Sequence, residues 1–372
     1  MAEKLDFSDM RILEGLGLYG PRNSTELARK LNLPREMLRK RLRRMSSHFS
    51  LRFHANIYHT NLGLKKAFVI AEAIPGYEDT LFECFKANDF WIYVSRCYGM
   101  NEGCLGLYTV PKNHSDDFEQ YFCLFEKLGV ARNVKIFWST CLQSVHSKCK
   151  WFNEQTGTWD FRWDEWIREI PLTGTQLPYT LIDPKDFPQK GDEIDVLILK
   201  ELEKNPKITL VDLAKMFGKS QQFIEYHYRK HILRRGLLES FEVSFSQYNP
   251  AVSDLFLFIF RFDNNEKLAR FLLSLLDKPF VLALGKILCE NAAIADIYLP
   301  RSEFRNFIDA LSSLTRAGIL ESYNYIIRDT RKRSRQTISY EYFKHGSWLY
   351  DHKKHIENLQ NLVKQTSPKI KE

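Results

Sequence analysis

The chain has no apolar run long enough to cross a bilayer. Its strongest apolar stretch, Leu255 to Phe260, is strand-length and stops at Arg261. The N-terminal residues, with Glu3 and Asp6, lack the apolar core of a signal peptide, which predicts a soluble, cytoplasmic protein with no membrane partner. Cysteine pairing is also missing. Cys84, Cys97, Cys104, Cys123, Cys141, Cys149 and Cys289 form no Cys-x-x-Cys, and six of the seven lie in the first half. They are expected to be reduced thiols. No Gly-x-Gly-x-x-Gly, P-loop, Gly-x-Ser-x-Gly or His-Glu-x-x-His occurs. No catalytic residue, cofactor or cofactor-binding residue therefore emerges, and the expectation is a protein that is not an enzyme. The length of 372 residues predicts two or three domains, with cores that need no disulfides.

What is present is a repetition. Asp9, Ile12, Leu13, Leu16, Leu27 and Ala28 recur as Asp195, Ile198, Leu199, Leu202, Leu213 and Ala214, all at a shift of 186. Pro111, Phe118, Phe122 and Gly129 recur as Pro300, Phe307, Leu311 and Gly318, and Gly157 and Trp159 as Gly346 and Trp348, at 189. Solenoid repeats are far shorter, so this spacing reads as tandem duplication of a domain-sized unit. A duplicated chain can form a pseudo-two-fold object whose halves are free to diverge.

Within each half, periodicity gives one order of elements. Residues 7–45 read as three short helices: Ser8 can cap the first, Asn23 to Glu26 is a capping-box pattern for the second, and Pro34 opens the third. Phe53, Ala55 and Ile57 then alternate like a small hairpin or wing. The second half repeats this with Thr209 and Ser220 as caps and Phe241, Val243 and Phe245 alternating. Next come β-α-β-β-α-β patterns over 67–140 and 255–327, the ferredoxin-like order. Each half closes on an aromatic segment around Gly157 or Gly346, read as a hairpin that packs onto a sheet or the other half rather than as a base-stacking platform. The expected class is α+β: two repeats, each a winged helix–turn–helix followed by a ferredoxin-like domain and an aromatic hairpin. The expected boundaries are 1–62, 63–145, 146–189 (hairpin and linker), 190–248, 249–328 and 329–372.

Charge is unevenly placed. Residues 1–62 carry twelve basic and six acidic side chains, 190–248 ten and nine, and 328–372 eleven and five. Local positive excess points to a polyanionic partner. In the third helix Leu38, Leu42 and Met45 face inward, leaving Arg35, Arg39, Lys40, Arg43 and Arg44 outward. The first turns of such a helix reach base edges in a major groove, and later cations meet phosphates. Arg35 and Arg39 suit guanine; Arg43 and Arg44 suit phosphates. In the second half Gln221, Gln222 and Tyr226 are outward, glutamine suits adenine, and Arg229 and Lys230 suit phosphates. The strip Arg331, Lys332, Arg333 and Arg335 is expected to add phosphate contacts. His227 and His231 have a zinc-compatible spacing, but no Glu follows His227 and no Cys pair lies near, so no metal site is expected.

The stretch Thr25 to Pro34, running into Leu38, Arg41, Leu42 and Met45, resembles the winged helix–turn–helix of the Lrp/AsnC (feast/famine) regulators. Leu210 to Ala214, through Ser220 to Gly236-Leu237-Leu238, resembles it again. The resemblance implies a ferredoxin-like domain that dimerises and can bind small effectors, here in two copies within one chain. It implies double-stranded DNA as partner, an intramolecular pseudo-dimer, room for a small-molecule effector, and further homo-oligomerisation left open. Gly99 to Glu102 loosely resembles the family's effector loop; Leu288 to Asn291 has lost the glycine. The alternatives are a tetrapyrrole enzyme resembling the siroheme decarboxylases, which share this fold and work as paired subunits, and a protein-interaction scaffold.

Overall fold

Helix α1 (Phe7–Tyr19) starts at a pair of carboxylates. Asp6 accepts from the Asp9 amide and Asp9 from the Asp6 amide. This reciprocal box satisfies two end donors at once. Ser8, the expected cap, lies inside the helix. Helices α2 (Ser24–Lys30) and α3 (Arg35–His48) follow, separated by Asn32 at φ 53°. Strand β1 (Arg52–Ile57) leads to β2 (Leu64–Ala73), α4 (Glu78–Lys86), β3 (Trp91–Tyr98), β4 (Glu102–Pro111), α5 (Ser115–Lys127) and β5 (Ala131–Ser139). Short β6 (Gln143–Ser144), β7 (Phe152–Asn153), β8 (Thr158–Trp159) and α6 (Trp163–Glu169) complete the first half.

The order then recurs: α7 (Glu193–Lys204), α8 (Leu210–Phe217), α9 (Gln221–Tyr226) and β9 (Leu238–Ser244), then β10 (Ser253–Arg261), α10 (Asn265–Leu275), β11 (Val281–Lys286), β12 (Ala292–Pro300), α11 (Arg301–Arg316) and β13 (Ser322–Arg335). The chain ends in β14 (Phe343–Lys344), β15 (Ser347–Trp348) and α12 (His352–Thr366). This computed structural model describes residues 4–99, 102–145 and 149–366. Met100 and Asn101 of the expected effector loop therefore lie outside the described residues. Among the described residues, no helix is long and apolar enough to cross a membrane, and all seven cysteines are free.

One sheet of nine strands, ordered β5-β2-β4-β3-β13-β10-β12-β11-β6, carries both halves. Strand alternation sorts its residues. Ala67, Val69 and Ala71 of β2 face α4 and α5, with Phe85, Phe118 and Phe122. Phe256, Phe258 and Phe260 of β10 face α10 and α11, with Phe271 and Phe307. The opposite faces meet each other: Phe68, Leu105 and Phe137 pack with Leu257, Ile259 and Ile294. The wings are joined as well. β1 pairs antiparallel with β9, from Arg52 opposite Ser244 to Ile57 opposite Leu238. A ribbon between halves thus replaces the hairpin expected inside each, because a lone edge strand satisfies its ladder by pairing.

The aromatic segments bind this assembly together. Trp151 and Trp159 are buried against α1 and α3, and Phe343 packs with α7. Trp166 of α6 crosses into the α10–α11 core and donates to Ser274 Oγ at 3.0 Å. In return, Leu359 and Val363 of α12 bury against the α4–α5 core. Each large apolar side chain so buried contributes about 2–3 kcal/mol. The hairpins are packing elements, as their sequence suggests.

Candidate nucleic-acid surface and central cavity

On α3, Arg35, Lys40 and Arg43 are exposed, and Arg39 is half-buried, with Nη1 2.8 Å from Glu36. Arg44 differs from the expectation. Its guanidinium turns inward to the fully buried Asp9 and also donates to the Lys4 carbonyl at 3.3 Å. Arg41 joins it, 2.7 Å from Asp6 and 2.8 Å from Asp9. A buried carboxylate must be paired, and α3 runs close enough to α1 to supply the cations. Burial alone would raise the Asp6 carboxyl; the bonds from Arg41 and the Asp9 amide outweigh it and hold Asp6 below its usual range.

In the second half, Gln221, Gln222, Tyr226, Arg229 and Lys230 are all exposed, and Arg229 Nε lies 2.8 Å from Glu225. Gly218, left-handed at φ 61°, makes the turn before α9. After Tyr226 the helix widens into a π-helical segment, His227–Leu233. It brings His227 and His231 against the start of α7. Their Nδ1 atoms lie 2.8 Å and 3.0 Å from the two oxygens of the fully buried Asp195. Asp192, the cap of α7, lies 3.7 Å and 3.4 Å from the same nitrogens.

The basic strip belongs to β13, which runs eight residues past the expected end at Ile327 and pairs with β3. Its register jumps from Arg328 opposite Cys97 to Arg333 opposite Ser95, so the residues between bulge out. Arg331, Lys332, Arg333 and Arg335 are exposed, and Lys332 pairs with Asp79 at 3.1 Å. Arg333 and Arg335 also line a cavity of about 310 Å³ between the wing ribbon and the sheet.

That cavity is a cluster of titratable groups. Lys66 and Arg328 join Arg333 and Arg335 in its wall, with His54, His59, Glu203, Glu242 and Asp296. Arg328 pairs with Asp296 and covers the Tyr93 ring at 4.6 Å. Lys66, Arg333 and Arg335 have no carboxylate partner among the described residues. Burial, then nearby arginines led by Arg335, push His54 down to about 4. Burial and Lys66 hold the buried His59 well below the usual range. Burial raises Glu203 to about 7 despite the Ile338 amide on it at 2.7 Å, and it raises Glu242 too. The imidazoles are neutral and Glu203 is partly protonated near neutrality, so cations dominate the space. A neighbouring cleft of about 250 Å³ shares Glu242, Ser244 and Arg333. Sequence reading missed this site because its titratable groups come from five strands, the turn that carries His59 and the end of α7. One signal was available: Lys66 shares the inward parity of Phe68, just before the apolar run Ala67 to Ala71.

Residues 191–230 match the winged helix-turn-helix DNA-binding family model. A search of curated protein sequences gives no match. Among solved structures, the siroheme decarboxylase NirDL is similar over 96% of this chain and 99% of its own, at TM-score 0.50 and 12% identity. Its co-complex with an iron-uroporphyrin III analogue gives 0.51 at the same coverage and identity. The AsnC protein of E. coli is similar over 40% of this chain and 98% of its own, at 20% identity and TM-score 0.29. At 12% identity the NirDL likeness is one of fold. It nonetheless corrects the expectation that the chain is not an enzyme, because a complete enzyme chain carries this architecture. The missing Gly-rich, nucleophile-elbow and His-Glu motifs belong to other folds, so their absence says nothing against catalysis on this one.

Proposed function

We propose that the chain is a sequence-specific, double-stranded DNA-binding transcription regulator of Lrp/AsnC type. It is built by tandem duplication as a one-chain pseudo-dimer with two non-identical recognition helices. The observation that carries this reading is the winged helix-turn-helix DNA-binding match over 191–230, the segment that ends in the exposed polar face of α9. In this reading Arg35 and Arg39 meet guanine edges, with Lys40 and Arg43 beside them on phosphates. Gln221, Gln222 and Tyr226 meet the second half-site, flanked by Arg229 and Lys230 on phosphates. The cation-rich cavity under the wing ribbon suits an anionic small-molecule effector, since both recognition modules hang from that ribbon. Binding of the full chain to a duplex should weaken linearly in log K against log salt. No binding to any duplex at low salt would overturn the reading.

A second reading is favoured by the same cavity on a decarboxylase fold. Here the occupant is a carboxylate-bearing tetrapyrrole. Lys66, Arg333 and Arg335 would pair with its carboxylates, and the neutral His54 and His59 would stand near them as proton carriers. Titration with an iron uroporphyrin decides: a shifted absorbance band that vanishes in Arg333→Ala/Arg335→Ala favours the enzyme, and an unshifted band removes it.

A further inference from the structure

We propose that Asp192, Asp195, His227 and His231 form a divalent metal site of the zinc class, pinning α9 to the start of α7. One ligand atom from each lies within 4.8 Å of the others. The nitrogens lie 2.8 and 3.0 Å from the two oxygens of Asp195 and 3.7 and 3.4 Å from the two of Asp192, on either side of the roughly 3.3 Å ligand separation of a tetrahedron with zinc bonds of about 2.0–2.1 Å. Two imidazoles and two carboxylates suit a borderline metal, and the site is shielded: Asp195, His227 and His231 are all buried.

Three further features point the same way. The carboxylates are already oriented, because Asp192 Oδ1 accepts from the Ile194 and Asp195 amides and Asp195 Oδ2 from the Asp192 amide. Such outer bonds fix ligand geometry before the metal arrives. The π-helical segment that begins at His227 and contains His231 is a rare conformation, concentrated at functional sites. Finally, the first half shows what this place requires. Asp6 and Asp9 stand 186 residues before Asp192 and Asp195, and two guanidiniums neutralise them. In the second half Arg41 is replaced by His227, and Met45 by His231. A dication supplies the charge that the guanidiniums supply in the first half. It takes the place of the proton each Nδ1 shares with Asp195. The sequence hid the site because its carboxylates come from a helix cap more than thirty residues before the histidine pair.

The test uses the tag-free full chain, stripped with chelator and titrated with zinc chloride in a calorimeter, then with cobalt(II) in a spectrophotometer. One equivalent of zinc should bind, cobalt should give the visible bands of a four-coordinate site, and the melting midpoint should rise with zinc. The variant His227→Arg/His231→Met installs the first-half residues at these two positions and gives the carboxylates one guanidinium, so it should fold. It should bind zinc roughly 100-fold or more weakly. If that variant fails to fold, Asp192→Asn, which keeps the cap acceptor, should weaken binding by about 10- to 100-fold. Absence of stoichiometric zinc binding by the natural chain, or affinity unchanged in the folded variants, overturns the proposal.

Discussion

In the first helix–turn–helix module the buried Asp9 faces Arg41 and Arg44; at the same place in the second, Asp195 faces His227 and His231. The carboxylate and its partner cap are kept, and only the source of positive charge differs. Guanidinium is always charged and binds carboxylate through a fixed fork. Imidazole can be neutral, protonated or metal-bound. The first module is therefore locked by fixed charge, and the second is held by side chains of a type that can also ligate a metal. The comparison also qualifies the charge count. The excess over residues 1–62 overstates the cations offered to DNA, because Arg41 and Arg44 are turned inward. The nearly neutral second module keeps Arg229 and Lys230 outward.

The largest effect should come from removing the locked cations. Arg41→Ala/Arg44→Ala leaves Asp9 buried and unpaired, and should cost about 3 kcal/mol of stability in urea unfolding, discounted for the partial exposure of both guanidiniums. His227→Ala/His231→Ala, measured without metal, should cost less, since each imidazole offers Asp195 one hydrogen bond where a guanidinium offers a charged fork. Equal losses would break the contrast.

A third carboxylate, this one half-buried, sharpens it. Glu203, at the C-terminal end of α7, makes no ion pair among the described residues, and burial raises it from 4.5 to about 7 despite Arg335 and Lys66 across the cavity. Its folded value lies above its unfolded one, so its contribution to stability is complete below pH 4.5 and is lost as pH rises through about 7. Glu203→Gln should abolish that loss, changing the stability difference from the natural chain by up to about 2–3 kcal/mol between pH 4.5 and 8. A pH-independent difference would show that Glu203 ionises freely.

On DNA, Arg39→Ala/Arg43→Ala should lose more affinity than Gln222→Ala/Arg229→Ala, by about 1–3 kcal/mol in anisotropy titrations. Equal losses would mean that the two readers contribute alike. The smallest effect is assigned to the strip. Neutralising Arg331, Lys332 and Arg333 should lower the salt slope by about one to two units, below the near-unit share per phosphate contact, because Lys332 is tied to Asp79 and Arg333 borders the cavity. An unchanged slope would remove the strip from the DNA surface.

Local pattern carried much of this architecture. The alternation of Phe256, Phe258 and Phe260 against Leu257 and Ile259 already separates the two faces of β10, and the Thr209 and Ser220 caps place α8 and α9 where they form. What pattern could not carry is pairing between distant segments. The β1–β9 ribbon, the exchange of α6 and α12 between cores, and the inward turn of Arg44 depend on which surfaces meet, and one strand or helix does not encode that alone. The cavity and the histidine–aspartate cluster were hidden for the same reason. Their residues look ordinary until Lys66, Arg333 and Glu203, or Asp195 and His231, are brought together.

Selection of bound duplexes from a random pool by the full chain tests the central reading most directly, because protein symmetry is mirrored in the site. Two non-identical readers in one chain predict an asymmetric, bipartite consensus with half-sites about one helical turn apart, one G-rich under Arg35 and Arg39, the other richer in A under Gln221 and Gln222. A palindromic consensus, or a pool with no enriched sequence, would contradict it.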